Sequence, residues 1–389
     1  MDAVEQDAAK AQGEVAGRNP AQGMAWMRFP LLAFLVLRTS LLGVSLMAHR
    51  LPEGLLFQET LEAPLGQGLR RMPAIDGLCR WDCGWFERIA TQGYQHFNDT
   101  NFWPLFPLLG RAVSPLTSGN VQLALWLVAN LASLLSYIAL YRLFWDLSNE
   151  RAARTSLLLF ALYPFAFFQG AAYPESLMIL FSALATGLAL RRQHLAAGIA
   201  LGLGILARHL TVVAGAALLV AQLRQRPSLR RFLWHPAFLG LLMPFFVSGL
   251  YLLFQYMRFG DPLAFWKARA SGWGEAAWWG VVHTFRTHGP DPRHWFFLIF
   301  SLVPGVGAVA LSTQRRWAEL AAFALAMMTL LYLVGAEALG RYSAACWPAF
   351  LPLGVWLSRR PQLEALVYGG LGMFQGLFLY LFVHQFPIL

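Results

Sequence analysis

Two stretches of this chain place a carboxylate beside an aromatic ring. In "CRWDCGWFERIATQGY" (79–94), Asp82 follows Trp81, and Glu87 comes five residues later. In "GAAYPES" (170–176), Tyr173 precedes Glu175. Arginines recur near such positions: Arg80, Arg208 next to His209, and Arg341 next to Tyr342. A carboxylate can take the proton of a hydroxyl as that oxygen forms a new bond. Arginines can grip a phosphate and offset the charge that grows on it as it leaves. These residue types therefore suit a site for an anionic substrate, provided that the fold brings them to one place.

The rest of the chain says where such a site must be built. Of 389 residues, 57% are hydrophobic and only 13% charged, against about 25% charged in a soluble domain. Long apolar runs without period-2 alternation exclude an outer-membrane barrel and predict an integral membrane protein made of helices. The net charge is +10, and all but two of the thirty basic residues are Arg. They fall in short loops, where they set orientation, so no nucleic-acid partner is inferred.

Spans are predicted near 29–48, 121–145, 155–171, 173–190, 236–257, 294–313, 318–336, 343–358 and 364–384. Residues 1–28 are polar, lack the pattern of a signal peptide, and are expected to form a disordered cytoplasmic tail. One transmembrane domain fills 29–389, with extracytoplasmic loops at about 49–120 and 258–293. The stretch 195–221 has basic flanks on both sides, "RRQH" and "RQRPSLRR", and one crossing cannot put both inside. Its middle, "GLGILARHLTVVAG", holds three glycines and the Arg208–His209 pair. It is expected to enter and return as two short or re-entrant helices, as irregular backbone at membrane depth does where protein surrounds it. The parity then closes, and Asp76, Arg80, Asp82, Glu87, Arg88, Tyr173, Glu175, Glu337, Arg341 and Tyr342 all face the outside.

Each candidate has a plainer reading beside it. "WDCGWFERIA" predicts a short amphipathic helix with Trp85, Phe86, Ile89 and Ala90 on a lipid-facing side. Asp82 at its start is either a catalytic carboxylate or an N-cap, and Glu87, turned away from it, is expected to be a surface or Arg-paired acid. Arg208 is either an anion ligand or a snorkelling arginine, Arg341 either a ligand or an ordinary outer charge. Trp103, Phe106 and Trp273 read as interface anchors. Cys79 and Cys83 are four apart, a spacing poor for bridging within a helix. With His96 they would be a sparse metal site, so no metal ligand is assigned; a divalent ion is compatible with the chemistry but not indicated.

The motifs resemble a known family. "RWDCGWFERIATQGY" followed by "FWPLFPLLGR" is similar to the first luminal loop of the PIG-V family of mannosyltransferases, in Trp81-Asp82, Ile89-Ala90, Gly93-Tyr94 and Pro104-Leu105-Phe106-Pro107. "YPFAFFQGAAYPESLMILFSALA" resembles a second block of that family, with Pro174 where Ser is usual. Fainter echoes lie in "LARHLTVVAG", "FGDPLAFWKARASGWG" and "GRYSAACWPAF".

The resemblance implies an all-α polytopic bundle of the GT-C glycosyltransferase fold, with about ten to eleven transmembrane or re-entrant helices. It further implies a polyprenyl-phosphate-linked sugar donor, plausibly of mannose, a lipid or glycan acceptor, and transfer with inversion on the extracytoplasmic face. Asp82 takes the place of the family's catalytic acid. Substrate contacts are expected from Arg80, Trp81, Tyr173, Glu175, Arg208, His209, Arg341 and Tyr342. An Arg-rich, Lys-poor chain points to a bacterial inner membrane. A transporter or flippase for a lipid-linked or anionic solute is the alternative, suggested by Arg208 in a broken segment.

Overall fold

The computed structural model describes residues 25–50, 69, 72–225, 238–273, 280–287, 289, 291–336 and 339–388. Most of the expected cytoplasmic tail, and Glu337, lie outside the described residues. Regular structure among those residues is helical throughout. In chain order the helices are α1 (Arg28–Arg50), α2 (Cys83–Gln92), α3 (Leu105–Val113), α4 (Val121–Leu147), α5 (Glu150–Leu162), α6 (Glu175–Leu190), α7 (His194–Ala207) and α8 (Gly215–Gln225). After these come α9 (Phe238–Phe259), α10 (Ala264–Trp273), α11 (Gly280–Thr287), α12 (Pro292–Ser312), α13 (Ala318–Val334), α14 (Leu339–Ser343), α15 (Phe350–Leu357) and α16 (Pro361–Val383).

Six of the described helices are long and apolar enough to cross a membrane: α1, α4, α9, α12, α13 and α16. The shorter apolar helices α6, α7 and α15 pack among them. Lipid-level burial of polar backbone requires such closed, internally bonded segments. The chain is a multi-pass membrane protein.

One end of the bundle is marked by an exposed ion pair and a second whose carboxylate is buried. Arg191 reaches Asp146 at 3.2 Å, and Arg224 holds Glu319 at 2.9 Å. From that end α7 climbs to Arg208, which lies 3.4 Å from Glu175 at the start of α6. The chain then runs back down α8 until Gln225 Nε2 donates to the Ala189 carbonyl near the end of α6. Residues 194–225 thus enter and return. At the break Arg208 is extended (φ −157°, ψ 123°). Thr211 Oγ1 donates to the carbonyls of Gly204 at 2.8 Å and Arg208 at 2.7 Å, which ties the two sides of the break together. Glycines permit the tight packing: a Cβ on Gly198 would overlap the Gly240 carbonyl of α9.

Two details of the first loop depart from the sequence expectation. The apolar side of α2 faces protein rather than lipid: Phe86, Ile89 and Ala90 are buried, and Phe86 packs edge-on against Phe102 and Phe106 at 5.2 and 5.0 Å. An amphipathic pattern says that one side is covered, not by what. Cys79 and Cys83 form a disulfide, with Cα atoms 5.2 Å apart. The pair escapes the helical geometry because Cys79 precedes α2, and Trp81 between them takes a left-handed turn (φ 50°). The bridge removes both sulfurs as thiolate ligands, and such a bridge persists in an oxidising compartment. Thiol counting under denaturing, non-reducing conditions should find one free thiol per chain, Cys346, and three after reduction; three without reductant would contradict the pairing.

Candidate active site

Asp82 opens α2 but makes no side-chain cap. Its Oδ2 instead accepts from Arg341 Nη1 at 2.7 Å. The same guanidinium donates through Nε to Glu175 Oε1 at 2.6 Å. Arg208 Nη1 stands 3.4 Å from that Glu175 oxygen. Four charged groups from four distant parts of the chain therefore meet, and their charges cancel. The second reading offered for Asp82, an N-cap, does not hold.

Burial divides the four. Glu175 is 1% exposed and Arg341 2%, while the side chains of Asp82 and Arg208 keep 19% and 11%. Arg341 lies over the Tyr173 ring at 4.4 Å and the Phe168 ring at 5.1 Å. Burial alone would push its pKa down, but the Glu175 and Asp82 carboxylates outweigh that and hold it well above the usual value. It stays charged. Arg208 stacks on the Tyr342 ring at 4.6 Å and bonds the Tyr342 hydroxyl. Its Nε is buried with no partner among the described residues.

The Glu175 segment is fixed from two sides. Pro164 and the turn Pro164–Gln169 end α5 and start a loop in place of the longer span expected at 155–171. That loop is stitched to the first loop, where Ala172 N donates to the Leu78 carbonyl at 3.0 Å and Tyr173 Oη to the Arg80 carbonyl at 2.8 Å. From within the membrane, Arg38 of α1 donates to the Gln169 carbonyl at 3.3 Å and to Ser133 at 2.9 Å. Ser176 Oγ donates to the same Gln169 carbonyl at 2.9 Å, and Asn130 to the Gly170 carbonyl at 3.3 Å. Arg38 had no assigned role in the sequence; a buried arginine in a span was the available signal.

The remaining candidates are placed as follows. Trp81 adjoins Asp82, with Nε1 buried and unbonded among the described residues. The Arg80 guanidinium is engaged by Asp76 Oδ2 at 2.9 Å and the Val383 carbonyl at 3.1 Å. The His209 ring lies 6.1 Å from Trp103, itself buried. Glu87 is not a surface acid: it is buried and accepts from Gln122 Nε2 at 3.0 Å, tying α2 to α4. Asp99, which drew no attention in the sequence, is fully buried and accepts from Arg88 at 2.6 Å and from the backbone of Gln95 and His96.

With this geometry in hand, the bundle can be set beside known proteins. A family model described as dolichyl-phosphate-mannose-protein mannosyltransferase matches residues 103–251, less than half of the chain. No curated protein matches in sequence. Among solved structures, ArnT from Cupriavidus metallidurans bound to undecaprenyl phosphate superposes with a TM-score of 0.51 over 74% of this chain, at 18% identity. The fold is of the GT-C type. The chain covers 56% of the length of that ArnT. The Archaeoglobus fulgidus oligosaccharyltransferase aligns with 92% of this chain and 53% of its own, at a TM-score of 0.44 and 15% identity.

In this GT-C bundle the position of Glu175 depends on clearance between α1 and Gly170. Gly170 has an ordinary backbone (φ −106°, ψ −13°), so alanine meets no conformational barrier there. Its Cβ would instead overlap Arg38 Nη1. Gly170→Ala is expected to cost about 1–3 kcal/mol in thermal unfolding through overpacking, and the cost should vanish when Arg38→Ala is added. An equal cost in both backgrounds would contradict the packing.

Proposed function

We propose that this protein is a polyprenyl-phosphate-dependent glycosyltransferase, a hexosyltransferase whose sugar is mannose, acting on the extracytoplasmic face of a bacterial inner membrane. The observation that carries the reading is Asp82, a partly open carboxylate held by a sealed Arg341–Glu175 pair beside the half-open Arg208. The GT-C fold and the PIG-V-like blocks support it, and so does the matched mannosyltransferase description. The disulfide beside Asp82 supports an oxidising side for the site.

In the proposed reaction, Asp82 takes the proton of the acceptor hydroxyl as its oxygen bonds to the anomeric carbon. The bond from that carbon to the phosphate oxygen breaks in the same displacement, with inversion, and polyprenyl phosphate departs. Arg341 aims Asp82 through Oδ2; Oδ1 has no hydrogen-bond partner among the described residues and faces the task of accepting the proton. Of the two arginines expected to hold the donor phosphate, Arg208 and Arg341, Arg208 is the better placed. Each keeps one buried nitrogen unbonded among the described residues, but Arg341 is 3% exposed and held by two carboxylates at 2.7 and 2.6 Å, whereas Arg208 is 11% exposed and meets Glu175 only at 3.4 Å.

Asp82→Asn keeps the shape but loses the base. With polyprenyl-phosphate mannose and membranes containing the acceptor, transfer should fall on the order of 10²–10⁴-fold while the protein stays folded. Near-normal turnover would overturn the assignment. Movement of the lipid-linked solute across the bilayer without transfer, by the wild type, would favour the flippase reading instead.

A further inference from the structure

Arg269 lies in the faint echo "FGDPLAFWKARASGWG" and has no role assigned above. It sits on α10, whose Ala264 and Ala268 are buried in the bundle. Phe265, one turn earlier on the same face, meets the Trp103 ring edge-on at 5.7 Å. Trp103 in turn lies 6.1 Å from the His209 ring. Arg269 is half-buried and near enough to act electrostatically on His209, as Arg208 does. Its neighbour Lys267 is paired with Asp261 at 2.5 Å. Arg269 makes no hydrogen bond or ion pair among the described residues.

The charge balance is therefore uneven. Asp82, Arg341, Glu175 and Arg208 sum to zero, and Arg269 adds an uncompensated positive charge on the Arg208–His209 side. A half-buried guanidinium with no protein partner leaves its donors open to an anion. Arg208 offers a buried, unused Nε on the same side.

We propose that Arg269 and Arg208 form a two-arginine clamp on the phosphate of the lipid-linked substrate, with Arg269 delivered by α10. This rests on the reading of the protein as a lipid-phosphate-dependent transferase. Breaking the bond between sugar and phosphate leaves its electron pair on the phosphate oxygen, so a diester with one negative charge becomes a monoester with up to two. The acceptor's proton goes to Asp82, and the new bond to the anomeric carbon replaces the old one. A second arginine matters most for the departing monoester, where charge is highest.

The test measures binding, not turnover. Full-length protein in nanodiscs is titrated with undecaprenyl phosphate and, separately, with uncharged undecaprenol. Wild type should prefer the phosphate. Arg269→Gln should weaken phosphate binding on the order of tenfold, leave the alcohol unchanged, and reduce the salt dependence of phosphate binding. Arg269→Lys should recover part of the loss. If wild type prefers the phosphate and Arg269→Gln binds it equally well, the clamp is wrong and the transferase reading stands. If wild type shows no preference for the phosphate, the transferase reading fails and takes the clamp with it.

Discussion

The structure depends on one buried cation. Arg341 lies between Asp82 and Glu175, with a short bond to each and aromatic rings against its plane. Either carboxylate alone would be expensive to keep ionised there, and so would the guanidinium. Together they are tolerable, and their common geometry fixes the relative positions of the first loop, the start of α6 and the short helix α14. Removing the cation would leave Glu175, almost without solvent, with only the longer 3.4 Å contact to Arg208, and Asp82 poorly aimed. The bridge thus links fold to chemistry, because the group that makes the packing affordable also orients the proposed base.

The arginines near the site divide their work by depth and saturation. Arg38 acts lowest, from the middle of α1, by holding carbonyls at the start of the Glu175 loop. Arg341 is sealed and held by two carboxylates, with Nη2 unbonded among the described residues. Arg208 is held by Tyr342 and approached by Glu175, but keeps a spare donor. Arg269 has no partner among the described residues. Carboxylate partners fall from two at Arg341 to one at Arg208 and, among the described residues, none at Arg269, toward the side where an anionic lipid phosphate would be met. The helix break at Arg208 makes this arrangement possible, because an uninterrupted helix would carry the guanidinium past Glu175.

Much of this was legible in the sequence. Hydropathy placed α1, α4, α9, α12, α13 and α16 within a few residues, since a membrane span is a composition signal as much as a pattern. The basic flanks of 195–221 required an entering and returning segment, and the glycines around Arg208 marked its break. Asp82, Glu175, Arg208 and Arg341 stood out because charged residues are rare in such a chain. What they do to one another was not legible. Nothing local says that Arg341 bridges residues 259 and 166 positions away, or that Glu87 meets Gln122. The disulfide was discounted because a helix was assumed across both cysteines, while the left-handed Trp81 lies outside that helix. Periodicity in α2 identified its covered face but not the aromatic residues of the first loop that cover it.

The central claim is that Arg341 is retained to neutralise and align two carboxylates. A double-mutant cycle tests it most directly, with unfolding of Arg341→Met, Glu175→Gln and the combined variant measured in a lipid environment. Arg341→Met alone should cost about 3–5 kcal/mol, the usual penalty for breaking a buried pair from one side. Adding Glu175→Gln should restore much of that loss, since the stranded charge is then gone. Simple addition of the two costs, or a neutral Arg341→Met, would contradict the account.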